Sequence, residues 1–318
     1  MKVFELPLLT KLQDSRKILL AGAGGGFDVF CGLPLYFALR QAGKEVVLAN
    51  LTFSNLYGAS GHTPTPESIL ISRDSGGSSG YFPERYLCCW FKERRNEDVS
   101  IYCFHRSGVA PLRAAYKVIV ELEKIDAVVL VDGGTDSLMR GDEAGLGTPQ
   151  EDSASIAAAA ALAVPTKLLV CLGFGVDSYH GVFHADFLES VAALTKEGAF
   201  HGAFSIQKGM PEVDAYYDAA EYVFKSMPDH PSIVSSSIMS ALDGDFGDIH
   251  RTERTRGSIL WINPLMSLYW IFDLRAVAMR NLYLTRIANT KSYEELTAGI
   301  RNYRNSLPSI RRPSAIPL

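Results

Sequence analysis

Residues 17–29 read KILLAGAGGGFDV. The apolar run over residues 18–21 is typical of a buried strand in a parallel sheet, and the glycines that follow are typical of a strand-to-helix turn. In open α/β sheets this first turn is a common phosphate site. Glycine lets backbone N–H groups approach a ligand, and the next helix N-terminus favours anions. The stretch therefore predicts an α/β fold and a candidate ligand site.

Further apolar runs alternate with helical patterns along the chain. The sequence predicts strands at residues 17–21, 45–51, 99–104, 127–132, 167–174 and 200–206. It predicts helices at residues 33–41, 110–124, 151–163, 183–196 and 211–227. Continuous apolar strands separated by amphipathic helices indicate a doubly wound, mostly parallel sheet of the Rossmann-like type.

The same patterning predicts how the chain is divided. We expect residues 1–256 to form the α/β domain, with the Gly-, Ser-, Pro- and Thr-rich residues 52–80 as one long loop. Residues 257–304 are expected to be a helical packing or dimerisation segment of that domain, with a long apolar helix over 265–287 and a shorter one over 292–304. The tail, residues 305–318, lacks periodicity and is expected to fray.

Composition narrows the class of protein. The chain has 318 residues, 47% of them hydrophobic, a net charge of −4 and no long basic block, so we expect no general nucleic-acid binding. The most apolar stretch, residues 258–272, is shorter than the ~20 residues of a spanning helix, so we expect no membrane association. Five cysteines without a C-x-x-C spacing are typical of reduced thiols and a cytoplasmic protein. We expect no covalent cofactor.

The glycine loop matches neither of the two common nucleotide motifs. Counted from Gly22, Phe27 stands where a dinucleotide fingerprint has its third glycine, and no G-K-[ST] follows. The second strand ends at Asn50, where an NAD-binding unit carries an acidic residue, which counts against an oxidoreductase. The candidate ligand contacts here are Gly22, Gly24, Gly25, Gly26, Asp28 and Asn50, with phosphate on the N–H groups of residues 24–26. The alternative is a tight turn without a ligand.

A second loop, residues 131–152, reads VDGGTDSLMRGDEAGLGTPQED and directly follows a predicted strand. Its carboxylates outnumber its single basic residue, so we expect a bound cation to offset their repulsion. We predict Asp132, Asp136 and Asp142 as Mg²⁺ ligands. We predict Asp136 and Glu143 as acid/base residues, and Gly133, Gly134 and Arg140 as ligand contacts. Glu151 and Asp152 are interpreted as helix-start charges that the helix dipole favours.

A third loop, residues 175–187, reads GVDSYHGVFHADF and follows another predicted strand. It brings Asp177, His180 and His184 to the same edge of the sheet. We predict His180 as a further acid/base residue. No additional Cys or His nearby completes a zinc site, and His184 is equally consistent with capping or packing in its helix.

Three segments together are similar to the prokaryotic domain-of-unknown-function family 1152. They are ILLAGAGGGFDVFCGLPLYFALRQAGKEVVLANLTFSNL (residues 18–56), VDGGTDSLMRGDEAGLGTPQEDSASIAAA (131–159) and LGFGVDSYHGV (172–182). The likeness extends over most of the first 240 residues. The resemblance implies the fold and the position of the site, and it brings no activity with it.

The three loops predict an enzyme that binds a nucleotide or a phosphorylated metabolite. We expect hydrolysis or group transfer, either at a phosphate with Mg²⁺ or at an N-glycosidic bond with a carboxylate near the anomeric carbon. The sequence leaves these two open. The alternatives are a non-catalytic nucleotide sensor and an NAD(P)-dependent oxidoreductase. We also expect a homo-oligomer formed through the C-terminal helices.

Overall fold

A computed structural model describes residues 6–77 and 80–312, and all structural statements refer to these residues. The strands, in chain order, are β1 (Lys17–Gly22), β2 (Glu45–Leu51), β3 (His62–Thr65), β4 (Ser68–Ile71), β5 (Ile101–Phe104), β6 (Ala127–Gly133), β7 (Thr166–Leu172), β8 (Phe200–Ser205), β9 (Gly247–Asp248), β10 (Trp261–Ile262) and β11 (Leu268–Asp273). The helices are α1 (Pro7–Lys11), α2 (Asp28–Cys31), α3 (Leu33–Gln41), α4 (Pro83–Arg95), α5 (Val109–Glu123), α6 (Pro149–Ala160), α7 (His184–Lys196), α8 (Pro211–Ser226), α9 (Ile233–Leu242), α10 (Leu274–Arg280), α11 (Leu284–Ile287) and α12 (Tyr293–Asn305).

Nine strands form one sheet in the order β3-β4-β5-β2-β1-β6-β7-β11-β8. The five from β5 to β7 are parallel, and Leu20 of β1 pairs with Leu48 of β2 and Val129 of β6. From β1 the chain runs outward to β2 and β5, and then crosses back to β6 on the other side. The predicted doubly wound, mostly parallel sheet is confirmed. The reversal between β1 and β6 opens a crevice at the carboxyl ends of these strands.

Alternate side chains of β1 face two separate hydrophobic cores. Leu19 and Ala21 pack with residues of α5, α6, α7 and α10. Ile18 and Leu20 pack on the other face with residues of α3, α4 and α8. Because strand side chains alternate between faces, helices on both sides are needed to bury this apolar strand. The two helical layers hold the crevice between β1 and β6 in a fixed place.

The predicted long helix over residues 265–287 is wrong. Residues 268–273 form β11, which lies antiparallel between β7 and β8, so that Trp270 pairs with both Cys171 and Ala203. The chain becomes helical only at α10, whose first turn is capped where Asp273 accepts the N–H of Ala276 at 2.9 Å. The C-terminal segment therefore supplies a strand as well as helices. The shorter helix predicted over 292–304 is confirmed as α12.

The region predicted as one loop, residues 52–80, contains two short strands in its described part. β3 and β4 pair antiparallel, and Ile69 of β4 pairs with Cys103 of β5 at one edge of the sheet. Residues 78 and 79 lie outside the described residues, as do residues 313–318 of the predicted tail. In the described part of that tail, Arg311 is held by ion pairs. Within residues 6–77 and 80–312, no helix has both the length and the apolar character that crossing a membrane requires.

Candidate functional site

A cavity of about 400 Å³ opens at the carboxyl ends of β1 and β6, where the strand order reverses. Parts of all three predicted loops line it, together with the start of α9 and the aromatic rings of Phe53, Tyr81 and Tyr179. Its volume suits a small organic ligand. The structure therefore brings the three loops together at the position that a doubly wound sheet uses for ligands.

Five buried aspartates line this cavity. They are Asp28, Asp132, Asp136, Asp152 and Asp177, and none is more than 7% exposed. One carboxylate oxygen from each of Asp28, Asp132 and Asp152 lies within 4.8 Å of the other two. Converging carboxylate oxygens are the donor set that Mg²⁺, Mn²⁺ and Ca²⁺ prefer. These three residues form the candidate cation site.

Asp28 joins the first two loops. Its Oδ2 accepts the N–H of Gly24 at 2.5 Å, and its Oδ1 accepts the N–H of Gly133 at 3.2 Å. The N–H of Gly24, predicted to bind phosphate, is thus already donated to a carboxylate. Gly24 also has to be a glycine, because a Cβ there would lie 2.5 Å from Oδ1 of Asp152. Packing against carboxylates explains the glycine at position 24 without a phosphate in the loop.

Hydroxyl and amide donors hold the other four aspartates. Asp132 accepts the side-chain hydroxyl of Ser137, and Asp177 accepts the N–H of Thr135 at 2.6 Å. Thr148 donates its N–H to Oδ2 of Asp136 at 2.6 Å, and its hydroxyl lies 2.8 Å from Asp136 and 3.1 Å from Asp152. These bonds fix one oxygen of each carboxylate and direct the residues around one cavity.

One fully buried oxygen of this group is left without a donor. Oδ1 of Asp152 has no hydrogen-bond partner in the described part of the chain, and the residue is 2% exposed. A buried carboxylate oxygen without a donor is costly in free energy unless a cation or a proton compensates it. Asp152 belongs to the candidate cation site, so its unpaired oxygen points to a ligand in this cavity independently of the count of acidic residues.

The electrostatics of the cavity favour protonated carboxyls in the absence of a cation. Burial raises the pKa of Asp28 to about 7, opposed by the hydrogen bond from Gly24 and assisted by the charge of Asp136. Burial also raises the pKa values of Asp132, Asp152 and Asp177 well above the ordinary value, with the charge of Asp136 as the next cause in each. Asp136 is therefore the neighbour whose charge acts on all four other carboxylates.

Part of the second loop does not reach the cavity. Glu143 is fully buried and accepts the N–H groups of Arg140 at 2.9 Å and Gly141 at 2.7 Å. Arg311 pairs with Glu143 at 3.0 Å and with Asp142 at 3.2 Å. The structure thus places Asp142, Glu143 and Arg140, predicted as metal ligand, catalytic residue and ligand contact, in an ion-pair cluster against the C-terminal segment and away from the cavity lining.

Some of the remaining predicted residues line the cavity, and others lie outside its lining. Gly25, Gly26 and Gly133 line the cavity, as does the exposed His180, whose ring lies 3.8 Å from that of Tyr179. Burial lowers the pKa of His180. The side-chain amide of Asn50 donates to the carbonyl of Gly26 and to Glu84, both at 2.8 Å. Three of the predicted ligand contacts do not line the cavity, and they are Gly22, Asn50 and Gly134.

Sequence reasoning missed several residues of the cavity. The sequence pattern predicts a helix-start charge at Asp152, and this residue does stand in the first turn of α6, but its carboxylate belongs to the candidate cation site. The available signal was its position at the start of the helix that follows the acidic loop. Phe53, Tyr81, His230 and Arg254 come from segments whose loop composition carries no local signal of a site.

Fold and cavity together define a doubly wound α/β protein with an acidic cavity at the strand-order reversal. Among known families, the model of a protein of unknown function, DUF1152, matches residues 86–304. The chain belongs to that family. The matched residues include the second and third loops, while the glycine loop at residues 22–28 precedes them. No curated protein and no solved structure gives a significant match.

Proposed function

We propose that the protein is a divalent-cation-dependent enzyme that acts on a nucleotide-like substrate by hydrolysis or group transfer at a phosphate or an N-glycosidic bond. The convergence of Asp28, Asp132 and Asp152, with one Asp152 oxygen lacking a donor, carries this proposal. Mg²⁺ is the cation we expect, because carboxylates plus substrate oxygens are its usual ligands in nucleotide-processing sites.

The charge of the cavity supports a cation rather than a bare anion site. Five aspartates line it, whereas Arg254 is the only arginine or lysine among the described residues of the lining. A phosphate placed beside these carboxylates would be repelled unless a cation lay between them. Cation binding would also replace the protons that the raised pKa values of Asp132 and Asp152 retain.

The two remaining aspartates are candidates for proton transfer. Oδ2 of Asp136 is held by Thr148, which leaves Oδ1 to take a proton from a water molecule as that water attacks. Asp177, held through Thr135, lies in the same cavity. His180 at the rim, with its lowered pKa, is a neutral imidazole at pH 7 and can relay protons to solvent.

The aromatic side chains of the cavity favour a substrate that contains a nucleoside or another planar ring. Phe53, Tyr81 and Tyr179 line the same cavity as the aspartates. A base or another planar ring stacks well on such side chains. Hydride transfer is less favoured, because Asn50 at the end of β2 is bonded to Gly26 and Glu84 and does not line the cavity.

Calorimetric titration with Mg²⁺ and Mn²⁺ tests the proposal on the wild type, Asp132→Asn and the control Asp142→Asn. Asp142 carries the same charge in the same loop but lies outside the cavity lining. We expect saturable binding in the wild type and the control, and binding at least about tenfold weaker in Asp132→Asn. Absence of cation binding, or equal binding in all three proteins, would contradict the proposal.

A substrate panel then identifies the reaction. Nucleoside mono-, di- and triphosphates are incubated with the cation-loaded protein, and released phosphate and free base are measured separately. Phosphate release indicates phosphoryl chemistry, and base release indicates cleavage of the N-glycosidic bond. Binding of a nucleotide without either product would favour the sensor alternative.

A further inference from the structure

We infer that this cavity has a phosphate-binding corner at the start of α9, formed by Arg254, Ser232 and the N–H groups of Ile233 and Val234. The inference rests on the proposed function and narrows its substrate class to compounds that carry a phosphate. It also moves the phosphate away from the glycine loop, where the N–H of Gly24 is donated to Asp28.

The first turn of α9 is open toward the cavity. Ser232, Ile233 and Val234 all line it. The hydroxyl of Ser232 accepts the N–H of Ser235 at 3.0 Å and so caps the helix. In the described residues, the N–H groups of Ile233 and Val234 have no acceptor. Unpaired first-turn N–H groups, together with the helix dipole, favour an anion.

Arg254 is held at the same helix start. Its guanidinium donates to the carbonyl of Pro231 at 2.9 Å, directly before the capping Ser232. Its neighbours Arg251 and Arg256 pair with Asp243 and Glu253. Arg254 has no carboxylate partner within the described ranges. An arginine that lines an acidic cavity without an acidic partner of its own is available for a phosphate.

The phosphate-binding corner and the cation site are adjacent, because Gly133 lies against residues of both. A Cβ on Gly133 would lie 3.2 Å from Cγ1 of Val234 and 2.7 Å from Oδ1 of Asp28. Gly133 also follows Asp132 directly in the chain. The unpaired oxygen of Asp152 independently indicates a cationic ligand in this cavity. A phosphate at the start of α9 can therefore offer oxygens to a cation on the aspartates, which is the usual arrangement for Mg²⁺ and phosphate.

Calorimetric titration of inorganic phosphate into Mg²⁺-saturated protein tests this corner. The wild type is compared with Arg254→Gln, with Arg254→Lys and with the control Arg256→Gln, whose arginine is exposed and pairs only with Glu253 among the described residues. We expect Arg254→Gln to weaken phosphate binding about tenfold. Arg256→Gln should match the wild type, and Arg254→Lys should fall between the two because it keeps the charge but loses the planar fork.

Two further titrations separate this inference from the proposed function. Mg²⁺ alone should bind Arg254→Gln as it binds the wild type, which also verifies that the variant is folded. Suppose that the protein binds Mg²⁺ but that phosphate affinity is equal in Arg254→Gln and the wild type, or that no phosphate binds at all. Either result would overturn the phosphate-binding corner and leave the cation site supported. Phosphate binding that needs Arg254 in a protein that binds no Mg²⁺ would support the corner and refute the cation-dependent enzyme.

Discussion

Thr148 has one hydroxyl proton and two carboxylates to share it. Its oxygen lies 2.8 Å from Oδ2 of Asp136 and 3.1 Å from Oδ2 of Asp152. A hydroxyl donates a single hydrogen bond and can accept others, so one of these contacts requires a proton from a carboxyl group. Because burial raises the pKa of Asp152 well above its ordinary value, we assign that proton to Asp152. A cation at the site has to displace it.

Asp152→Asn should separate cation binding from folding. The amide keeps the shape of the side chain and can donate to Thr148, but it removes one charged ligand. We expect Mg²⁺ affinity to fall at least about tenfold. We also expect the melting temperature in a chelator at pH 8 to rise, because the amide is neutral in both states, whereas the buried Asp152 carboxyl retains a proton that the unfolded state loses at this pH. Calorimetry and thermal melts measure both effects.

Asp142→Asn is the matched control for Asp152→Asn, because it removes a carboxylate of the same loop outside the cavity lining. A wild-type Mg²⁺ affinity in Asp152→Asn would remove Asp152 from the cation site. A lower melting temperature than that of the wild type would contradict the assignment of a retained proton to the buried Asp152.

Gly147 and Gly198 form a second matched pair. Both have positive φ, +64° and +70°, so alanine costs each about 1 kcal/mol of backbone strain. A Cβ on Gly198 would meet no atom of the described residues within 4 Å, whereas one on Gly147 would collide with the carboxylate of Asp136. We expect Gly147→Ala to lose roughly 2 kcal/mol or more of unfolding free energy and to weaken Mg²⁺ binding as well.

Urea unfolding and Mg²⁺ titration of the two alanine variants check this prediction. Equal losses of unfolding free energy in Gly147→Ala and Gly198→Ala would show that Asp136 moves aside freely. The position of Asp136 would then not depend on the turn at Gly147.

At the scale of elements, α12 secures the loop that leads from Asp136 to Asp152. Arg304 donates to the carbonyls of Gly141 at 3.2 Å, Glu143 at 2.7 Å and Ala144 at 3.3 Å. Arg304→Gln should loosen residues 139–147, because three carbonyls lose their charged donor. We expect faster amide hydrogen exchange there and a moderately weaker Mg²⁺ affinity, measured by mass spectrometry and calorimetry.

Arg301→Gln is the control for Arg304→Gln, since Arg301 is an exposed arginine in the same helix. It should change neither the exchange rates nor the affinity. Unchanged exchange in Arg304→Gln would mean that the buried Glu143 and its ion pair with Arg311 hold the loop without α12.

The elements that could be predicted from the sequence are those with unambiguous patterns. The five parallel strands are apolar on both faces and are separated by amphipathic helices, so their type and layering follow from the pattern. The run LYWIFD of β11 has no such signature. It is an apolar stretch whose strand state depends on its pairing with β7 and β8, which are distant in the chain.

The site was predictable to the extent that strand ends determine it. Asp132 lies at the carboxyl end of β6, Asp136 comes shortly after it, and Asp28 follows β1 after the glycines, and the end of a strand predicts proximity. Asp142 and Glu143 look equivalent to them in the sequence. In the structure, ion pairs with Arg311 and hydrogen bonds within the loop hold these two away from the cavity. Arg254 joins the cavity through the position of α9, which no local pattern indicates.

At the scale of the whole molecule, the two hydrophobic cores support a cavity that is electrostatically unfavourable without a ligand. Each of the five aspartates is held by hydrogen bonds with backbone N–H or hydroxyl groups. The rest of the protein therefore keeps repelling groups in place, which is typical of a preorganised functional site. The predicted homo-oligomer, formed through the C-terminal helices, stays a prediction that light scattering on the purified protein can test.

This electrostatic cost gives the fold a distinctive dependence on pH. The pKa of Asp28 is raised from the ordinary 3.8 to about 7, so between these values the folded state holds a proton that the unfolded state has lost. Its contribution to stability is full below pH 3.8, is lost as the pH rises toward 7, and is constant above that. The raised pKa values of Asp132, Asp152 and Asp177 act in the same direction.

We therefore expect the unfolding free energy of the cation-free protein to fall between about pH 4 and pH 7, with a shallower fall in Asp28→Asn than in the control Asp142→Asn. Mg²⁺ binds the ionised carboxylates, so its stabilisation should grow with pH. At about 100 times its Kd at pH 8 it should add roughly 2.7 kcal/mol. Urea unfolding at pH 5, 6, 7 and 8, with Mg²⁺ or with a chelator, measures both trends. If Mg²⁺ raises the unfolding free energy by the same amount at pH 5 and pH 8, these carboxyl groups are not the ones that bind the cation.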